Sequence, residues 1–115
     1  MAAEHLIQQA IRLLSRGTIR LWRNNTGAIR DARGQLVRFG LCVGSSDLIG
    51  FRTLEITPAM VGQRIAQFVA LEVKAPKGRT TPEQQAFIQT VSDAGGLAAV
   101  VRSHEQAQSI LESQL

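Results

Sequence analysis

Apolar positions recur along this chain with two periods, and the places where the period changes mark its elements. From Glu4 to Arg16, residues Leu6, Ile7, Ala10, Ile11, Leu13 and Leu14 share one broad arc at about 100° per residue, which predicts an amphipathic helix ended by Gly17. Ile19, Leu21 and Trp22 then mark a strand, and Asn24-Asn25-Thr26-Gly27 tolerates turn dihedrals. The segments around Ala28 to Ile29 and Leu36 to Phe39 can pair as a hairpin across Asp31 to Gly34. After the loop-forming Gly44-Ser45-Ser46, a strand is expected from Asp47 through Phe51. Thr57-Pro58-Ala59 and Gly62 interrupt the chain. The strongest strand signal runs from Ile65 to Lys74, because Phe68-Val69-Ala70-Leu71 is continuously apolar, as in a central strand buried on both faces.

The C-terminal third carries clear helix punctuation. Thr81 is placed as N-cap, Pro82 at the first helical position and Gln84 to close a capping box, so a helix should run to about Ala94, where Gly95-Gly96 stops it. Leu97 to Val101 reads as a buried strand, and Ser103 with Gln106 can cap a last helix bearing Ala107, Ile110 and Leu111. The expected class is α/β, a mixed sheet flanked by helices in the order α-β-β-β-α-β-α. The strand-helix-strand segment from Ile65 to Val101 implies a parallel crossover. At 115 residues, with no linker-like stretch, the whole chain (1–115) reads as one domain.

Charge adds a direction. Thirteen Lys and Arg against nine Asp and Glu leave +4, a balance that favours a polyanionic partner, although the Arg residues are dispersed. Cys42 is the sole cysteine, which suits a reducing compartment. No stretch resembles a signal peptide or reaches the ~18 apolar residues of a membrane span, so an intracellular, cytoplasmic protein without membrane partners is expected.

Side chains alternate along a strand, so in Leu71-Glu72-Val73-Lys74 the acid and the amine share one face. Charges at the end of an apolar strand are costly unless hydrated, paired or bound to metal. Asp47, 25 residues earlier, heads another expected strand and is able to approach Glu72 if the strands are neighbours. Two adjacent carboxylates invite a hard cation such as Mg²⁺, which stabilises developing phosphate charge and helps generate hydroxide; Lys74 is suited to orient water or neutralise the phosphorane.

These residues resemble the VRR-NUC branch of the PD-(D/E)XK nuclease superfamily, whose members include small viral and bacterial proteins and the nuclease domain of Fanconi-associated nuclease. The resemblance runs through the Glu4 helix, Trp22 to Gly27, Gly44 to Gly50, Phe68 to Lys74 and Thr81 to Phe87. It implies a restriction-endonuclease-like core, a metal held by Asp47, Glu72 and the Val73 carbonyl, and a catalytic Lys74. It also implies that Glu4 reaches the metal shell and that Gln84 lies near the active site. Arg23, Asn24, Asn25, Ser45, Ser46, Lys77 and Arg79 become candidate nucleic-acid contacts. Mg²⁺ is the implied cofactor, with Mn²⁺ able to substitute, and DNA the implied partner. Stand-alone members are associated with homodimers and with four-way (Holliday) junction cleavage in replication, recombination or repair. One departure is Ser46, where the superfamily name expects Pro; that Pro shapes backbone and supplies no ligand, so the chemistry survives.

Plain alternatives accompany several of these residues. Glu4 is also an ordinary first-turn helix acid, Gln84 has a full role in the capping box, and Asn24 and Asn25 suit turns. Lys77 and Arg79 fit a solvated loop equally well. The competing function is a non-catalytic nucleic-acid-binding module that keeps the nuclease fold, and retention of Asp47, Glu72 and Lys74 together argues for the enzyme.

Overall fold

The computed structural model describes residues 2–113, which form three helices and six strands and gather into two compact units, Met1–Leu54 and Glu55–Leu115. In the first unit, helix α1 (Ala2–Arg12) ends four residues earlier than its apolar arc predicts. Ser15 explains the early stop: its Oγ accepts from Leu21 N at 2.8 Å, while Leu14 N and Ser15 N reach only three residues back, to Ile11 O and Arg12 O. Gly17, at φ +59°, then reverses the chain in a conformation that suits glycine.

Strand β1 (Ile19–Arg23) follows, then the hairpin β2 (Gly27–Arg30) and β3 (Leu36–Phe39), then β4 (Leu48–Arg52). β1 and β4 pair antiparallel with Ile19 opposite Arg52 and Arg23 opposite Leu48; the Trp22 and Phe51 rings meet at 5.7 Å between centroids. The expected hairpin is present, with Gly27 opposite Phe39 and Arg30 opposite Leu36. Its turn is built by Asp31, whose Oδ1 accepts from Arg33 N and Gln35 N, each at 2.9 Å. Asp47 lies one residue ahead of β4 instead of opening it.

The second unit holds a short 3₁₀ turn at Pro58–Met60, strand β5 (Val69–Val73), helix α2 (Pro82–Asp93), strand β6 (Leu97–Val101) and helix α3 (His104–Leu111). β5 and β6 are parallel, Val69 opposite Leu97 and Val73 opposite Val101, as the crossover predicts. β5 is shorter than the expected Ile65 to Lys74. Its partner begins only after the Gly95-Gly96 turn, so the ladder starts with Leu97 N donating to Phe68 O at 2.8 Å, and among the described residues no strand pairs with the segment before Phe68. The middle of β5 is half-buried and both end valines are exposed, short of the burial on both faces that its apolar run predicts. α2 packs on β5 and β6, and α3 on β6.

The caps are those read from the sequence. Thr81 Oγ1 accepts from Gln84 N at 3.1 Å while Gln84 Oε1 accepts from Thr81 N at 2.9 Å, and Ser103 Oγ accepts from Gln106 N at 3.1 Å. Val91 and Val101, the two fully buried apolar residues among those described, both belong to this unit. No helix among the described residues is long and apolar enough to cross a membrane.

Candidate active site

In the second unit the strand alternation puts Glu72 and Lys74 on one face of β5, with Lys74 Nζ 3.8 Å from Glu72 Oε2. Both side chains are partly exposed, at 31% and 19%. That separation exceeds direct hydrogen-bond reach, so the ion pair leaves the carboxylate's lone pairs and the ammonium's protons able to turn to other partners. The position of Lys74 is set by its backbone, whose N–H donates to Val101 O at 3.0 Å and extends the parallel ladder one residue past Val73. Glu72 borders a cavity of about 310 Å³ whose lining also includes Glu83, Gln84 and Phe87 of α2. Gln84 thus keeps its capping-box bonds and still borders the cavity that Glu72 borders; its two readings are compatible.

Lys77 and Arg79 are exposed on the loop after β5. That loop is held by Arg102, whose Nη1 donates to the carbonyl oxygens of Ala75 at 2.7 Å, Gly78 at 2.7 Å and Pro76 at 3.3 Å. Sequence reasoning missed Arg102 and Glu83. Glu83 was detectable as the acid beside Gln84 in the first turn of α2, whereas a link spanning 24 to 27 residues, as Arg102 makes, leaves no local pattern.

In the first unit Glu4, Arg23, Asn24, Asn25 and Asp47 line one cavity of about 270 Å³, joined by His5, Gln8 and Thr26. Among the described residues no apolar side chain lines it. Glu4 and Gln8 are four apart on α1 and so share a face, the spacing by which Gln8 could have been found. Of the candidate DNA contacts here, Arg23 and Asn25 are exposed. Asn24 and Ser45 are otherwise engaged: Asn24 Nδ2 donates to Ser45 Oγ at 2.6 Å and to Ser46 O at 2.9 Å, and Asn24 Oδ1 accepts from Leu41 N at 3.0 Å.

Oxygen donors of two carboxylates with amide and hydroxyl neighbours suit a hard divalent cation, and so does the half-exposed Glu72 carboxylate. Among the described residues no three or more of His, Cys, Asp and Glu gather into a group that could hold a metal ion.

The framework is α/β, with Glu72 and Lys74 at the C-terminal end of β5 in one unit and Asp47 on a polar cavity in the other. The chain belongs to the VRR-NUC domain family, whose model matches residues 3–105. It is a nuclease domain of PD-(D/E)XK-like fold, with DNA as substrate. No curated protein and no solved structure matches it.

Proposed function

We propose that this nuclease is a Mg²⁺-dependent endonuclease, with Mn²⁺ able to substitute, in which Asp47, Glu72 and the Val73 carbonyl are metal ligands, Glu4 reaches the metal shell and Lys74 is catalytic. The observation that carries the reading is the polar cavity that Glu4 and Asp47 both line, with the amide and hydroxyl residues Gln8, Asn24, Asn25 and Thr26 beside them, an oxygen-rich lining that suits a hard divalent cation. When bound, the cation supplies charge against the transition state and acidifies a water molecule. Lys74 offers its N–H donors to a phosphoryl oxygen or holds the attacking water, and Glu72 stands beside it on the same face of β5, 3.8 Å away. Gln84 orients water or substrate beside Glu72, while Arg23, Asn25, Lys77 and Arg79 offer donors to phosphates.

The substrate is branched DNA, four-way junctions in particular, processed in replication, recombination or repair in the cytoplasm. The assembly is a homodimer, because two strands related by a two-fold axis are most simply cut by two sites related the same way. Exposed apolar side chains on α1, Leu6 at 64% and Ile7 at 59%, supply material for such an interface. Nicking of plasmid and of labelled junctions should require Mg²⁺ or Mn²⁺ and stop with chelator, and light scattering should give the dimer mass. Cleavage undiminished by chelator sinks the metal assignment, and tight junction binding without any cleavage restores the binding-module reading.

A further inference from the structure

We infer that Asn24 is a positioning residue that aims the Asp47 carboxylate into its cavity, an inference that rests on the metal-ligand reading of Asp47. Asn24 stands one residue past β1, and the register that pairs Arg23 with Leu48 sets it opposite Asp47, whose carbonyl oxygen accepts from Asn24 N at 2.8 Å. The ladder thereby runs one step beyond the two strands and pins the backbone of Asp47.

The side chain then turns along the loop that leads into Asp47. Its two amide protons go to Ser45 Oγ at 2.6 Å and Ser46 O at 2.9 Å, and its oxygen receives Leu41 N at 3.0 Å. Ser45 passes the restraint on, donating from Oγ to Cys42 O at 2.7 Å and accepting from Cys42 N at 3.3 Å. One amide therefore ties both ends of the segment from Leu41 to Ser46, which includes Gly44 at φ +82°. The pattern demands an amide: an aspartate here has acceptors only and would face the Ser46 carbonyl with like charge. Asn24 thus holds Asp47 through its backbone carbonyl and holds the loop that leads into it through its side chain and Ser45, so the place of the Asp47 carboxylate follows the backbone that Asn24 fixes. Groups that orient a ligand from behind in this way commonly change metal affinity by about 10- to 100-fold when removed.

The test is a Mn²⁺ titration followed by the electron paramagnetic resonance of the free ion, on wild type, Asn24→Ala, Ser45→Ala, Ser45→Thr and Asp47→Asn, each checked by circular dichroism. Asn24→Ala should weaken Mn²⁺ binding by about tenfold or more, with cleavage turnover recovering at saturating Mn²⁺. Ser45→Ala should shift it less in the same direction, and Ser45→Thr, which keeps the hydroxyl, should bind as wild type. If Asn24→Ala does not fold, the Ser45 pair decides alone. Wild-type Mn²⁺ affinity in both alanine variants, while Asp47→Asn binds weakly, overturns the positioning role. Wild-type affinity in Asp47→Asn instead removes the ligand reading, and the positioning role with it.

Discussion

The two units organise their candidate site residues by opposite means. Around Glu72 and Lys74 the frame is hydrophobic and regular: a parallel pair of strands, a helix fixed at its start by a reciprocal capping box, and two fully buried valines beneath. Around Asp47 the frame is polar. The catalytic candidate sits ahead of its strand, and its loop is held by Asn24 and Ser45, with no residue of that unit fully buried among those described. A strand suffices to aim two side chains two residues apart, because alternation does so automatically; a carboxylate in a loop needs its loop tied down. Different substitutions should therefore damage the two halves in different ways.

The largest expected effect is on chemistry and should be shared by both units. Asp47→Asn, Glu72→Gln and Lys74→Ala should each lower cleavage by on the order of 10²-fold or more, with circular dichroism unchanged. A variant that cleaves at near the wild-type rate in saturating Mg²⁺ shows that its residue has been misassigned.

Packing should separate the units. Val91 has no exposed surface, so Val91→Ala should cost on the order of 2 kcal/mol in denaturant unfolding, whereas Ile29→Ala in the hairpin, at a site 61% exposed, should cost roughly 0.5 kcal/mol or less. Equal losses at the two positions would mean that the contrast between an apolar and a polar frame is wrong.

Smaller again is the effect of Glu4→Gln, about a tenfold loss of metal-dependent cleavage if the carboxylate acts through a metal-bound water; full activity would leave Glu4 as a first-turn helix acid. Smallest is the cap. Gln84→Ala should cost about 1 kcal/mol by opening the capping box, and Gln84→Glu should retain that stability. Loss of cleavage in the well-folded Gln84→Glu protein would assign the amide a part in the reaction, and unchanged cleavage would confine Gln84 to capping.

Much of the second unit was legible from residues close together in the chain. Thr81, Pro82 and Gln84 announce the start of α2, Gly95-Gly96 its end, and Ser103 the start of α3, because caps are local exchanges of hydrogen bonds. Period-two alternation likewise placed Glu72 and Lys74 on one face. Boundaries that depend on a partner were less legible. β5 is cut to Val69–Val73 by where β6 begins, and α1 ends early because Ser15 meets Leu21.

The sequence by itself determined which residue types are available for phosphodiester chemistry, and the family to which they belong, since these rest on motifs read in order along the chain. Only the tertiary structure decided that Asn24 and Ser45, equally suited to a turn or to DNA, spend their hydrogen bonds on the loop before Asp47. It also decided that Arg102 clamps the loop after Lys74 and that Gln84 serves its cap while bordering the cavity of Glu72. The physical reason is common to all three: a polar side chain has several possible partners, and which one it takes depends on chain segments that its own neighbours in sequence do not specify.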